Sequence, residues 1–130
     1  DEDYICYAFA PKSGFSDFGR YVGNGNDNGT FVYTGFRPSL LIIKKDSAAG
    51  SWCMWNDKFN PANPADSNIF ADENYNKNTV TADYSVDFLS NGFKLRNDNT
   101  DRNANDQEYQ YLAWAQFPFV ASNDTPGTAR

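Results

Sequence analysis

The chain has 130 residues, the size of one domain, with no histidine and a formal net charge of −6. The missing imidazoles exclude His-based triads and zinc sites, and an acidic balance without any Lys or Arg run leaves no surface to neutralise phosphates, so nucleic acid is not an expected partner. No apolar stretch nears the roughly 20 residues that span a bilayer, so no membrane insertion is expected, and the first residues lack the basic and apolar regions of a signal peptide.

Aromatic residues make up 17% of the chain, and flat rings favour strands. Asn and Asp cluster with Gly, a mixture that competes with helical hydrogen bonding and populates turns. The expected fold is therefore all-β: an antiparallel two-sheet β-sandwich, jelly-roll or concanavalin-like, with about eight strands. Residues 1–120 read as a single module and 121–130 as a loosely ordered tail.

In chain order, Tyr4 to Ala10 (YICYAFA) reads as an aromatic strand closed by Pro11 and Gly14. Phe15 to Val22 carries further rings before the turn run Gly23 to Gly29 (GNGNDNG). Thr30 to Thr34 is a short β-branched strand, and Gly35-Phe36-Arg37-Pro38 breaks it. Ser39 to Lys45 (SLLIIKK) is apolar at both parities, as a central strand buried between layers should be. Ser51 to Asn56 (SWCMWN) reads as the next strand.

Asn60 to Asn78, with Pro61 and Pro64, is a long irregular connection of the kind that carries function. Strands resume over Val80 to Leu89, and Asn91-Gly92 signals a hairpin into Phe93 to Leu95. A second polar loop, Arg96 to Gln107, leads to Glu108 to Phe119, which is expected to form a long core strand. The two ends share one pattern: Tyr4-Ile5-Cys6-Tyr7-Ala8 aligns without a gap on Tyr111-Leu112-Ala113-Trp114-Ala115. Either any two aromatic core strands look alike, or residues 1–10 are the closing strand of a preceding module, lying beside the last strand.

Cys6 and Cys53 both fall in apolar runs, where a thiol packs as a small hydrophobe; a disulfide between them is the alternative. Gly23-Asn24-Gly25 lacks the helix of a dinucleotide fingerprint, so no cofactor is expected. Asn97 to Asp106 (NDNTDRNAND) is dense in oxygen donors but lacks the central Gly and closing Glu of an EF-hand. It reads as a turn-rich loop, with calcium as the alternative. The carboxylates Asp57, Asp72, Asp83 and Asp87 have no spacing that sets a glycosidase pair, so the domain is expected not to be an enzyme.

Sugar recognition needs aromatic faces beside amides and carboxylates. Trp52, Trp55, Trp114 and Tyr75 are the rings in such surroundings, with Trp114 expected in the core. Trp52 and Trp55 have opposite parity, so one points out; Asn56 and Asp57 follow Trp55, which makes Trp55 the expected surface ring. The expected ligand-binding set is Trp55, Trp52, Tyr75, Asn56 and Asp57, with no metal.

Gly35-Phe36-Arg37-Pro38-Ser39-Leu40-Leu41-Ile42-Ile43-Lys44, then Phe88-Leu89-Ser90-Asn91-Gly92-Phe93-Lys94-Leu95, then Tyr111-Leu112-Ala113-Trp114-Ala115 resemble the repeated module of bacteriophage tail and tail-fibre-like proteins. That resemblance implies a β-sandwich at the surface of a virion, often part of a trimeric fibre, and carries no catalytic signature. The expected role is a non-catalytic tail-fibre or appendage module whose loops meet a host-surface glycan or receptor. The alternative is a structural module that assembles with copies of itself.

Overall fold

The computed structural model describes residues 3–74 and 82–117. Among them eight strands form: β1 Ser16–Val22, β2 Phe31–Tyr33, β3 Pro38–Lys45, β4 Cys53–Asn56, β5 Ile69–Phe70, β6 Val86–Leu89, β7 Gly92–Leu95 and β8 Glu108–Ala115. They make two antiparallel sheets, one in the order β1-β8-β3-β4-β5 and one in the order β2-β7-β6. The chain is an all-β two-sheet sandwich whose only described helical element is the 3-10 turn Ala82–Tyr84.

Period-two burial builds the core. From the large sheet Tyr21, Leu41, Ile43, Cys53, Trp55, Tyr109, Tyr111 and Ala113 point inward. They meet Val32, Val86, Phe88, Phe93 and Leu95 of the small sheet. Rings join the layers: Tyr21 stacks on Tyr109 at 5.2 Å, and Phe93 sits edge-on to Tyr21 at 6.1 Å and to Tyr111 at 5.4 Å.

Three sequence expectations are corrected. Tyr4 to Ala10 forms no strand; Ile5 is 82% and Tyr7 78% exposed, and Cys6 is an exposed free thiol while Cys53 is a buried one. Of the strand expected over Val80 to Leu89, Val80 and Thr81 lie outside the described residues, Ala82–Tyr84 forms the 3-10 turn, and β6 begins at Val86. In the β6–β7 hairpin the loop residues are Ser90 and Asn91, because Leu89 pairs with Gly92. Gly92 is needed for close approach: a Cβ there would lie 2.0 Å from the Val32 carbonyl oxygen. The 121–130 tail lies outside the described residues.

The long connection after β4 is tied down by side-chain amides acting as backbone. Asn63 Nδ2 donates to the Phe88 carbonyl at 3.0 Å while its Oδ1 accepts the Phe88 N–H at 2.9 Å, continuing the Ala65–Val86 bridge. Arg37 Nη1 donates to the same Phe88 carbonyl. The Gly35-Phe36-Arg37-Pro38 motif is thus structural: Gly35 turns at φ 77°, Phe36 is buried, and Arg37 fastens the entry of β3 to β6.

Candidate functional site

The outward parity of the large sheet is as informative as the core. Phe18, Leu112, Ile42, Met54 and Ile69 are cross-strand neighbours in one register row that runs across all five strands. Each is half-buried, sheltered by its neighbours and still open on top. At about 4.8 Å per strand the row is about 19 Å long. Trp114 and Leu40 form an adjacent apolar pair in the next row. On the other side Phe18 and Leu112 give way to Arg20, Gln110 and Lys44.

That polar bank is internally paired. Arg20 Nη2 lies 3.3 Å from Asp46 Oδ2 and Nη1 lies 3.7 Å from Glu108 Oε2, and Gln110 Nε2 donates to Asp46 Oδ1 at 2.8 Å. At the β1 end, Phe9 packs at 5.8 Å on Phe18 and edge-on at 5.6 Å on Trp114, while Phe18 and Trp114 meet at 5.3 Å. A groove of about 380 Å³ lies on this face, lined by Phe9, Phe18, Arg20, Trp52, Gln110 and Leu112 among others.

The expected sugar-binding set is not brought together. Trp55 is 0% exposed, and its Nε1 donates to the Tyr84 carbonyl at 2.7 Å, so the expectation that it faces outward is overturned. The parity argument holds with the other assignment: Trp52, 40% exposed, is the outward ring. Polar neighbours in sequence misled the choice, because Asp57 itself turns inward.

Asp57 is buried and accepts from Ser39 Oγ at 2.8 Å, Gln116 Nε2 at 2.8 Å and Lys58 Nζ at 3.2 Å. Burial opposes its ionisation, but those donors outweigh the burial and hold its carboxyl below the usual range. It pins β3, β4 and the end of β8 to one another. Asn56 is half-buried with its Oδ1 on the Lys58 N–H at 2.8 Å, and Tyr75 lies outside the described residues. Trp114, expected in the core, instead lines the outward face.

The other carboxylates are dispersed. Asp72 Oδ1 accepts the Trp52 N–H at 2.9 Å, Asp87 lies 3.5 Å from Arg96, and Asp83 stands in the 3-10 turn. In the Asn97 to Asp106 loop, Asn97 and Asn99 spend their side-chain oxygens on the N–H groups of Asn99 and Asp101. Asn103 is fully buried, donating from Nδ2 to Asn24 Oδ1, Asn26 O and Asn97 O and accepting at Oδ1 from the Asn24 N–H. Among the described residues no cluster of three His, Cys, Asp or Glu side chains could hold a metal ion.

Arg102 is a buried charge with no carboxylate ion pair among the described residues. Its guanidinium lies 4.2 Å from the Tyr84 ring centre and 5.9 Å from that of Trp55, with Nη1 3.4 Å from the Asp83 carbonyl and Nε unpartnered. Ring faces here supply the negative potential that a carboxylate usually gives.

These features define a class: an antiparallel two-sheet domain whose large sheet is apolar on both faces. No curated protein and no solved structure matches the chain. The chain belongs to the family described as a domain of unknown function (DUF7483), whose model matches residues 1–118.

Proposed function

We propose that this domain is a non-catalytic structural module of a tailed-phage virion, part of a tail fibre or similar appendage at the particle surface, and that its large sheet packs its outward face on a second copy of the chain. The apolar row Phe18–Leu112–Ile42–Met54–Ile69 carries this reading. A row of apolar side chains five strands wide, aliphatic from Leu112 to Ile69, is broad and flat, as an assembly contact needs. It also holds no charge, which matters for copies that each carry −6. The phage assignment rests on the resemblance of the Gly35–Lys44, Phe88–Leu95 and Tyr111–Ala115 motifs to tail-fibre-like modules.

Size-exclusion chromatography with light scattering tests the contact. The full chain is expected to run as an oligomer, and Ile42→Lys or Met54→Lys to run as a folded monomer with an unchanged circular dichroism spectrum. A monomeric parent chain overturns the reading. Host-surface glycan recognition is the second reading, favoured by the groove where the exposed Trp52 ring stands beside Arg20 and Gln110.

A further inference from the structure

β1 is an edge strand: β8 pairs with it on one side and no described strand on the other. The ladder to β8 is bracketed by the Ala115 N–H donating to the Phe15 carbonyl and the Gly23 N–H donating to the Gln107 carbonyl. Antiparallel hydrogen bonding alternates, so Asp17, Gly19 and Tyr21 turn their backbone groups to β8, and the even residues turn theirs to the open edge. Ser16 is used by its exchange with Lys12, and the Val22 carbonyl accepts from Thr30 Oγ1. The N–H and C=O groups of Phe18 and Arg20 have no backbone partner among the described residues, four ladder groups in a row on an edge of the kind that recruits another strand.

The chain also carries a segment with strand chemistry and no strand partner among the described residues. Ile5 to Phe9 alternates as β8 does, and Ile5, Tyr7 and Phe9 are 82%, 78% and 58% exposed. At its C-terminal end the segment rests on the sheet: the Phe9 ring packs on Phe18 and Trp114, and the Ala10 carbonyl accepts Ser16 Oγ at 3.3 Å.

Its own β1 is a poor acceptor. The Lys12–Ser16 bridge would continue as a hairpin with Phe9 opposite Gly19 on the inner face. That space is filled by Tyr111, whose Oη lies 2.9 Å from where a Gly19 Cβ would stand and donates to Asp17 Oδ2 at 2.6 Å. A segment arriving from another molecule is free of that register. It can set small Cys6 and Ala8 on the Tyr111 side and lay Ile5 and Tyr7 beside Phe18, lengthening the apolar row.

We propose that the open edge of β1 accepts the Ile5–Phe9 segment of a second copy as a sixth strand of the large sheet. The idea rests on the self-assembly reading above and supplies what that reading lacks. The outward face, about 19 Å by 14 Å with its flanking rows, is smaller than the roughly 800 Å² per partner of a stable interface. An added strand contributes main-chain hydrogen bonds and further apolar area.

The test uses the full chain under reducing conditions, so that Cys6 forms no intermolecular bond. Ile5→Pro/Tyr7→Pro removes two ladder donors at positions 82% and 78% exposed. Light scattering should show loss of the oligomer with an unchanged melting temperature. Hydrogen exchange should show the Phe18 and Arg20 amides protected in the parent chain and unprotected in the double variant. An oligomer that survives the prolines but dissociates in Ile42→Lys overturns strand addition and leaves the face contact standing; a monomeric parent removes both. Dissociation with the Phe18 and Arg20 amides equally unprotected in both chains also overturns it, as does a monomer in which they are protected, the mark of a segment zipped onto its own β1.

Discussion

Trp52 just before β4 and Trp55 within it do opposite things, which makes them a matched pair for separating stability from recognition. Trp55 fills the space between the sheets, with its indole N–H on the Tyr84 carbonyl and its ring beneath Arg102. Removing it leaves a cavity and an orphaned carbonyl, so Trp55→Ala should lose about 3–5 kcal/mol in urea denaturation. Trp52 touches the groove from outside, and Trp52→Ala should stay within about 0.5 kcal/mol of the parent. It is therefore the clean probe of the sugar reading: glycan-array binding by the parent, abolished in Trp52→Ala, supports that reading, and binding that survives the change rejects the groove as the site. Period-two parity made it legible that one of the two rings faces out. Which one was not, because Asp57 looks like a solvent residue until Ser39 and Gln116, distant in sequence, arrive to bond it.

At the scale of loops and strands, the polar runs Gly23 to Gly29 and Asn97 to Asp106 are one object joined by Asn103. Its amide spans both, reaching Asn24 and Asn26 on one side and Asn97 on the other, with Thr30 Oγ1 3.4 Å away. Asn103→Leu keeps the volume but orphans several buried groups at a cost of about 1–3 kcal/mol each. We expect a loss of about 2–4 kcal/mol in urea denaturation and faster hydrogen exchange at Asn24 and Gly25, whose N–H groups bond to Asn103. An effect confined to one loop would show that the two are not coupled. Composition revealed that both runs are turns, since Asn and Asp bond their own backbone two residues on, as Asn24, Asn26, Asn97 and Asn99 do. It did not reveal the hub, because Asn24 and Asn26 lie 79 and 77 residues from Asn103. The segment Tyr4 to Ala10 failed differently: its pattern is that of a strand, but a strand needs a neighbour, and pattern alone does not say which molecule provides it.

For the whole molecule, the all-β two-sheet architecture was readable from rings, branched aliphatics and turn residues, and so was the burial of β3 and β8. Apolar residues at both parities of β3 imply cover on both sides; among the described residues the small sheet covers only one, and the other is the proposed contact face. The covered side gathers an unusual density of phenols and a thiol, and this sets a pH response. Burial raises Tyr21 well above its ordinary 10.0, pushes Cys53 from 9.0 up to about 11, and raises Tyr109. Burial, then the hydrogen bond it donates to Asp17, raises Tyr111 as well. A group whose folded value lies above its unfolded one holds its proton more tightly in the native state. Its contribution to stability is complete below the unfolded value and is lost as pH rises through the folded one. The urea midpoint should therefore hold steady from neutrality to about pH 9 and fall beyond it as these four groups are drawn toward ionisation. Phenolate absorbance from the buried three should rise together with unfolding. A midpoint flat through pH 11, or buried phenols that ionise while the fold persists, would mean that water reaches this core and that the sheets are not sealed on each other as described.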